Sequence, residues 1–459
     1  MQNSNINMES ARVISKNIRY QLQNLRQLVF EITDKCNLKC EYCGYGKFFA
    51  LVLLVACVSC HNTTSSKTGK AADSLLYIKL ERGDFSKLKP LLMSDFVDSI
   101  RYIQLETSTK CLLPKEGGGL TLSGNFIFSA YRDQLYQFDM QGNFIRQIGR
   151  LGKGPGEFAL MSGRYGIDET NKKIFVSTKY EVAPLSFDFD GNCSGFVRDS
   201  TLASCWGIIS RFDASNGYLI FVPYPGDSRS QMICRPYELI VFDYDKKEIV
   251  QSLTNRMIAN VDHVHQDITS GLQFLGKQGN QHFYKAFYND TLYTIINGNI
   301  QPYAIIDLGS RKYPADLLYS NDPVRARPGR VGKILIDDIF VHHHYILLFC
   351  YLIKNDNMQG GEAFICKYDI PTGTVSYHSR NIVNDLDGGA NISVTDLIRG
   401  VNAVPYPDDD LSDEMKKREL LSTLKKRDLK YPEEHDKFLQ MQKHRKENDN
   451  PLLMTWHLK

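Results

Sequence analysis

The feature that most constrains the fold is a strand–turn–strand pattern that recurs at a period of about 50 residues, as in propellers or solenoids. In the segment Asp133–Gly149, two alternating apolar strands flank the turn MQGN, and Lys172–Val197 repeats this arrangement with its turn at FDGN. The paired sequences FDMQGNF and FDFDGNC make this a local internal repeat. Weaker copies bring the predicted blade-like units to five: Glu238–Ser252, Asp290–Asp307 and Ala363–Ser379.

The end of the chain predicts how the repeats close into a ring. Residues 411–447 are highly charged with a helical pattern that is interrupted at Pro432, and residues 450–459 return to a strand pattern. A last strand after a surface helix is expected to pair near Ser99–Glu106, which leaves no open sheet edge. Counting this composite blade, residues 75–459 are predicted to form an all-β, six-bladed β-propeller with a C-terminal helical insertion and a closing strand.

A glycine-rich loop lies between the first two units. The sequence IGRLGKGPGEF, Ile148–Phe158, cannot lie within a strand, because Pro155 fixes φ and lacks an amide hydrogen. The loop is expected to cross from the outer strand of one blade to the inner strand of the next. Phe158 would then fill the gap between blades, and Glu157 would accept hydrogen bonds from loop amides. A phosphate-binding loop is the competing interpretation, and it is disfavoured because Lys153 is followed by Gly154 instead of Ser or Thr and no helical pattern follows.

These elements resemble those of a known family. The sequences YQFDMQGNFIRQIGRLGKGPGEF and YGIDETNKKIFV, together with the tail, are similar to the NHL-like six-bladed β-propellers found as lipoproteins in Gram-negative bacteria. The resemblance covers about residues 75–459. It implies a propeller fold and a lipid anchor, and the G-x-GPGEF element specifies no activity.

A different motif lies near the beginning of the chain. Cys36, Cys40 and Cys43 are spaced C-x3-C-x2-C, and three such thiolates can hold three irons of a [4Fe–4S] cluster while the fourth iron stays open. The sequence VFEITDKCNLKCEYCGYG resembles the start of radical SAM peptide maturases, which implies that S-adenosylmethionine would bind the open iron. The resemblance ends at about residue 48, and the further βα units of that family do not follow. Residues 1–46 are therefore interpreted as a truncated fragment.

An uncharged stretch follows this fragment directly. Phe48–Ser59 is too short for a membrane span of about 20 residues and is typical of a signal-peptide core. The sequence LVAC matches a bacterial lipobox, which makes Cys57 the predicted lipidation site and Cys60 the alternative. Residues 47–60 are thus a predicted export signal and residues 61–74 a polar tether, although a buried strand or core helix remains an alternative. The predicted location is the bacterial cell envelope, with a lipid anchor, in the periplasm or at the outer membrane. The alternative is the cytoplasm, if the N-terminal fragment determines where the protein is located.

The composition limits the classes of partner that the protein is expected to bind. The chain has 55 Lys and Arg and 52 Asp and Glu, so its net charge of +3 lacks the basic excess of a nucleic-acid-binding surface. No nucleic acid is therefore expected as a partner. Six scattered cysteines outside the N-terminal stretch show no CxxC pairing and are interpreted as small core residues, with disulfides as the alternative in an exported domain.

Three polar groups in the propeller region are candidate sites. Asp262, His263, His265 and Asp267 share one short segment that could bind a metal, but a polar loop is favoured. His342–His344 are interpreted as solvated turn residues, and Pro407–Glu414 as a helix N-terminus rather than a calcium loop. Ser228 lacks the G-x-S-x-G frame of a nucleophile. No metal ligand or catalytic residue is predicted in the propeller.

Three functions follow from these patterns. The first is a membrane-anchored, non-enzymatic propeller that binds a small molecule or a protein through one face of its ring. The second is a propeller hydrolase or lyase with a site in the central channel. The third is a radical SAM enzyme that modifies peptides with a cluster on Cys36, Cys40 and Cys43.

Overall fold

The computed structural model describes residues 75–80, 88–114, 118–131, 134–154, 156–158, 161–178, 183–199, 209–223, 237–255, 265–266, 273–286, 288–314, 319–320, 328–355, 361–406 and 421–459. The predictions for residues 1–74, which comprise the cluster ligands, the lipidation site and the tether, lie outside these ranges.

Three strands precede the repeats. They are β1 (Leu76–Lys79), β2 (Lys89–Leu92) and β3 (Val97–Gln104), and a 3-10 helix, Met93–Asp95, separates the last two.

The repeats form antiparallel sheets, each of which is one blade. Blade 1 is β4 (Gly119–Ser123), β5 (Phe126–Tyr131), β6 (Gln134–Asp139) and β7 (Phe144–Ile148), followed by the short pair β8 (Arg150–Leu151) and β9 (Glu157–Phe158). Blade 2 is β10 (Met161–Asp168), β11 (Lys173–Thr178), β12 (Leu185–Asp188) and β13 (Cys193–Phe196). Blade 3 is β14 (Ile209–Ser215), β15 (Tyr218–Pro223), β16 (Tyr237–Asp243) and β17 (Glu248–Thr254).

Two further blades follow in the same way. The two-residue strand β18 (His265–Gln266) precedes blade 4, which is β19 (Phe274–Gln278), β20 (Gln281–Lys285), β21 (Thr291–Ile296) and β22 (Asn299–Asp307). The 3-10 helices Gly309–Arg311 and Pro328–Arg330 flank β23 (Tyr319–Ser320), which pairs with β18. Blade 5 is β24 (Ile334–Val341), β25 (Tyr345–Leu352), β26 (Glu362–Asp369) and β27 (Thr374–Val383).

The ring closes through blade 6, which both ends of the described chain build. After helix α1 (Val394–Arg399) come β28 (Val401–Ala403), the 3-10 helix Lys426–Asp428, helix α2 (Pro432–His444) and β29 (Leu452–Leu458). Strand β29 lies between β28 and β3 and is antiparallel to both, with Leu453 opposite Ile103. The predicted six-bladed propeller with a composite closing blade is confirmed.

The N-terminal strands also extend two other blades. β1 pairs in parallel with β22 at the outer edge of blade 4, and β2 pairs in parallel with β27 at the outer edge of blade 5. The sequence analysis did not anticipate either pairing, because a parallel partner so far away in sequence leaves no turn signal.

The internal repeat reflects one turn geometry. In blade 1, the Asp139 carboxylate accepts hydrogen bonds from the Asn143 backbone nitrogen and side-chain amide, both at 2.8 Å. In blade 2, Asp188 accepts the same two bonds from Asn192 at the same distances. These bonds explain why D-x-x-G-N recurs in the sequence, since the aspartate and the asparagine fix the turn.

The glycine-rich loop forms the predicted crossing between blades. The Glu157 carboxylate accepts hydrogen bonds from the Gly154 backbone nitrogen at 2.8 Å and from the Arg150 guanidinium at 2.7 Å. Phe158 is buried between blade 1 residues, among them Phe128 and Ile148, and residues of blade 2. Both predicted roles, for Glu157 and for Phe158, are confirmed.

The cysteines that the structure describes form no disulfide. Cys111, Cys350 and Cys366 are buried in the core, as predicted, and Cys193 is exposed. Burial raises the pKa of both Cys350 and Cys366, which disfavours their reactive thiolate forms.

The C-terminal helix is shorter than the predicted span of 411–447. Helix α2 covers only Pro432–His444, and residues 421–431 are not α-helical. Pro432 does not interrupt a helix but begins one, because at the first helical position its missing N–H has no intrahelical partner to lose. Residues 407–420, which include the candidate calcium segment, lie outside the described ranges.

Candidate functional site in the central channel

The two faces of the ring differ in the length of their connections. At the face where the innermost strands end, short turns join neighbouring strands, for example 216–217, 279–280 and 342–344. At the opposite face the described strand ends are further apart in sequence, for example Phe196 from Ile209 and Pro223 from Tyr237. We call these the turn face and the loop face. Since binding residues concentrate on loops that a rigid scaffold positions, the loop face is the expected mouth of a site.

The innermost strands touch one another around the channel. A Cβ atom on Gly166 in β10 would lie 2.8 Å from the backbone of Asp213 and Ala214 in β14, so only glycine allows this approach. The Tyr165 hydroxyl donates to the Gly119 carbonyl of β4 at 2.9 Å. These contacts bring side chains of blades 1, 2 and 3 together although they are distant in sequence.

Lys277 binds two of these strands from blade 4. Its ammonium donates to the Ile167 carbonyl at 2.7 Å and to the Ala214 carbonyl at 3.0 Å. All three residues lie near the ends of β10, β14 and β19, toward the turn face. The lysine therefore joins blades 2, 3 and 4 near the turn face.

Next to Lys277 lies a hydrogen-bonded chain of Asp213, His282 and Ser215. The imidazole Nε2 of His282 is 3.0 Å from the Asp213 carboxylate, and its Nδ1 is 3.3 Å from the Ser215 hydroxyl. His282 is fully buried and Ser215 is 6% exposed, whereas the Asp213 side chain is 24% exposed. The end of the chain that solvent reaches is thus the carboxylate, and the hydroxyl lies behind the imidazole.

The electrostatics of Asp213 favour its ionised form. Burial opposes ionisation, but the positive charge of Lys277 and the charge and hydrogen bond of His282 outweigh burial and lower the pKa of Asp213. The chain therefore holds an ionised acceptor in a fixed orientation at the channel wall. Such an acceptor can bind a hydroxyl or an ammonium group.

A second set of charges lies nearer the loop face. Arg164 and Arg211 are early residues of β10 and β14, and Asp337 and Asp338 lie in the middle of β24. Burial, followed by the charge of Asp338, raises the pKa of Asp337, while Arg211 opposes the rise. Arg211 belongs to blade 3 and Asp337 to blade 5, so the two charged groups come from blades that are not consecutive in the chain.

Helix α1 adds groups to this wall. The Thr395 hydroxyl donates a hydrogen bond to the Asp338 carboxylate, which ties the helix to β24. Burial raises the pKa of Asp396 in the same helix. Burial also raises the pKa of Tyr165 to about 12. The charge of Arg399 at the end of α1 lowers this pKa, and the charge of Asp213 raises it.

Most of the candidate site residues predicted from sequence lie outside the described ranges. Cys36, Cys40, Cys43, Cys57, Cys60, Asp262, His263, Asp267 and Ser228 fall outside the described ranges, and of the Asp262–Asp267 segment only the backbone of His265–Gln266, which forms β18, is described. Across the part of the chain that the structure describes, no group of three His, Cys, Asp or Glu side chains could hold a metal ion.

The histidine turn requires a correction. His342–His344 join β24 to β25, and His343 and His344 are exposed as predicted, but His342 is 4% exposed. Burial and then the neighbouring histidines lower the pKa of His342 to about 4, so it is neutral at pH 7. The prediction that all three are solvated is wrong, because the last residue before the turn still packs within the sheet against Tyr345.

The channel residues were missed because none belongs to a local motif. Arg164, Arg211, Asp337 and His282 come from four blades, and the residue spacings between them carry no signature. The one available signal was a charged residue within the innermost strands β10, β14, β19 and β24, at positions where apolar residues would otherwise be expected.

Comparisons with known proteins match this architecture. A family model described as a domain of unknown function, DUF4934, matches residues 75–457. A solved structure of a Bacteroides fragilis protein, provisionally described as exported, is similar with a TM-score of 0.52 and 15% identity, covering 84% of this chain and 100% of that one. A DUF4221 member from Bacteroides vulgatus has a TM-score of 0.41 and 9% identity over 79% of this chain and 97% of its own.

A more distant likeness is to virginiamycin B lyase from Staphylococcus aureus, with a TM-score of 0.32, 10% identity and coverage of 61% and 74% of the two chains. No curated protein sequence matches the chain significantly. Within the described ranges, no helix has the length and apolar character that crossing a bilayer requires.

Proposed function

This chain belongs to the DUF4934 family, and on that premise we propose that it is a lipid-anchored propeller outside the cytoplasm that binds a small polar ligand in its central channel. The observation that carries the ligand-binding part is the ionised carboxylate of Asp213, which His282 contacts directly and whose ionised form the charge of Lys277 favours. An ionised acceptor held in one orientation by its neighbours is the kind of polar group that orients a small molecule in a binding site.

Binding rather than hydrolysis is favoured by the order of the Asp213–His282–Ser215 chain. A serine nucleophile must face the substrate, with the histidine behind it. Here Ser215 is buried behind His282, and the carboxylate faces the channel. The chain therefore orients an acceptor and offers no exposed hydroxyl for attack.

The anchoring part of the proposal rests on the sequence. The uncharged stretch Phe48–Ser59 ends in the LVAC lipobox, and the polar segment 61–74 separates it from the propeller. The provisional description of the similar Bacteroides fragilis protein as exported supports a location outside the cytoplasm.

Ligand binding is tested by thermal unfolding of the detergent-solubilised full chain in the presence of single organic acids, amino acids and sugars. A bound compound raises the unfolding midpoint in proportion to the logarithm of its concentration above its dissociation constant. The rise should disappear in Asp213→Asn and persist in Asp190→Asn, which removes a carboxylate that is 79% exposed. An identical response in both variants, or no response to any compound, would contradict channel binding.

Anchoring is tested by the intact mass of the purified natural protein and by incorporation of labelled palmitate. A mature chain that begins at a diacylated Cys57 or Cys60 is expected, and Cys57→Ala and Cys60→Ala decide between the two. If the natural protein retains residues 1–46 and carries iron, the lipoprotein proposal is wrong and the cluster on Cys36, Cys40 and Cys43 is favoured.

A further inference from the structure

A surface cavity of about 470 Å³ lies at the loop face between blades 4 and 5. Its walls come from the ends of three strands. Ser310 and Arg311 follow β22, Val331 and Lys333 precede β24, and Lys354 follows β25. Cavities of about 300–1,000 Å³ commonly hold small organic molecules, so this one has the size of a ligand site.

The wall of this cavity is positively charged. Arg311, Lys333 and Lys354 belong to it, and the described residues that line it include no aspartate or glutamate. The Lys354 ammonium pairs with the carboxylate of Glu362 on β26, which compensates part of this charge from outside the lining. The remaining positive charge favours an anion in the cavity.

Lys333 combines a fixed charge with neighbouring apolar surface. Its ammonium donates a hydrogen bond to the Ser310 carbonyl at 2.8 Å, across the junction between the two blades. An ammonium carries three N–H groups, so this bond positions the charge without saturating it. Val331 in the same cavity is 42% exposed, and a ligand that covers it removes apolar surface from water.

We propose that this cavity binds a small organic anion. The carboxylate or phosphate group of the anion accepts hydrogen bonds from Lys333 and Lys354, and its apolar part covers Val331. Hydrogen bonds between an ammonium and an oxyanion are charge-assisted, and they are about twice as strong as those between neutral groups. The cavity is a second site, additional to the proposed channel site at Asp213, which lies on β14 of blade 3.

The experiment is isothermal titration calorimetry of the detergent-solubilised full chain with sodium benzoate, phenyl phosphate and the neutral analogue benzamide. The heat of titration into detergent alone is subtracted. We expect saturable binding of at least one of the two anions. Benzamide should bind at least about tenfold more weakly, because it makes no charge-assisted hydrogen bonds. Saturation with benzoate alone indicates a carboxylate ligand, and saturation with phenyl phosphate alone indicates a phosphate ligand.

Three variants locate the binding. Lys333→Gln should weaken the affinity for the anion at least about tenfold. Glu362→Gln should strengthen it about threefold, because Lys354 loses its competing carboxylate, and a damaged fold would not produce such a gain. Lys437→Gln is the matched control, since it removes a positive charge that pairs with Glu434 on the exposed surface of α2, and its affinity should equal that of the wild type.

The inference is overturned if neither anion binds saturably to the wild type, or if Lys333→Gln and Glu362→Gln both bind as the Lys437→Gln control does. The channel site is tested separately. An anion whose binding is lost in Asp213→Asn but not in Lys333→Gln occupies the channel, which would support the proposed function and contradict the cavity as the anion site.

Discussion

Replacing Asn450 with alanine should strongly destabilise the propeller, because this one side chain joins the two ends of the ring. Its amide nitrogen donates to the carbonyls of Cys111 at 2.7 Å and Glu106 at 2.5 Å, and its oxygen accepts from the Leu113 nitrogen at 2.8 Å. Asn450 is 1% exposed, so water cannot replace these partners without local opening. Asn450 lies shortly before the closing strand β29. Its partners follow β3, the strand that pairs with β29 where the ring closes.

The magnitude follows from the groups that the substitution leaves unpaired. A buried donor or acceptor without a partner destabilises by about 1–3 kcal/mol. Asn450→Ala removes the hydrogen-bond partner of one N–H group, at Leu113, and of two carbonyls, at Glu106 and Cys111. The Glu106 carbonyl keeps a weak hydrogen bond from the Cys111 thiol at 3.4 Å. Because such costs are not fully additive, the expected loss in the free energy of unfolding is about 3–5 kcal/mol.

Urea unfolding followed by tryptophan fluorescence measures this loss. In a Trp206→Phe background Trp456 is the only tryptophan, and it lies within β29, so its emission reports on the closing strand itself. The matched control is Asn299→Ala at the start of β22, whose side chain is exposed and, among the residues that the structure describes, contacts only the Asn297 carbonyl, at 3.5 Å. The control should stay within about 0.5 kcal/mol of its parent. A loss below about 1 kcal/mol for Asn450→Ala would refute the claim that this residue stabilises the junction at which β29 and β3 close the ring.

Three further predictions concern other parts of the ring. Because the pKa of His342 falls from 6.5 to about 4 on folding, the unfolded chain binds a proton first as the pH drops through this window, and stability is lost there. His342→Phe should reduce the loss between pH 7 and pH 4 by about 2 kcal/mol in urea unfolding, and an unchanged pH dependence would contradict the assignment. Phe158→Ala should lower the free energy of unfolding by about 3–5 kcal/mol, whereas Leu151→Ala, 52% exposed in the same loop, should lie within about 0.5 kcal/mol of the wild type; equal effects would remove the role of Phe158 as a filler between blades. In the folded protein, iodoacetamide should alkylate Cys193 and spare Cys350 in peptide mapping by mass spectrometry, and labelling of both at similar rates would contradict the burial of Cys350.

The repeats predicted the fold because each blade is specified locally. An aspartate and an asparagine at fixed offsets, such as Asp139 with Asn143 and Asp188 with Asn192, set the turn between the outer strands. Alternating apolar residues then determine which side chains of each blade pack against the neighbouring blade. The same locality explains the prediction of the closing strand, since β29 keeps the strand pattern after a charged helical stretch.

The sequence predicted poorly what depends on distant contacts. The parallel additions of β1 and β2 involve partners more than 200 residues away, and no turn links them. The buried turn residue His342 also escaped prediction, because its burial depends on how blade 5 packs rather than on its own neighbours in sequence. Local patterns specify which residues form strands, but not which buried positions hold polar groups.

The cores between blades and the channel consist of different residues. This difference explains why the sequence predicts the fold but contains no motif for the site. The cores between blades are made of apolar residues such as Phe128, Ile174 and Phe187, which are essentially excluded from solvent. The charged groups of the channel instead lie on strands of blades 3 to 5, for example Asp213 on β14, Lys277 on β19 and Asp337 on β24. A substitution in the channel therefore leaves these apolar cores intact. It follows that Asp213→Asn should act mainly on ligand binding, whereas core substitutions should act mainly on the urea midpoint.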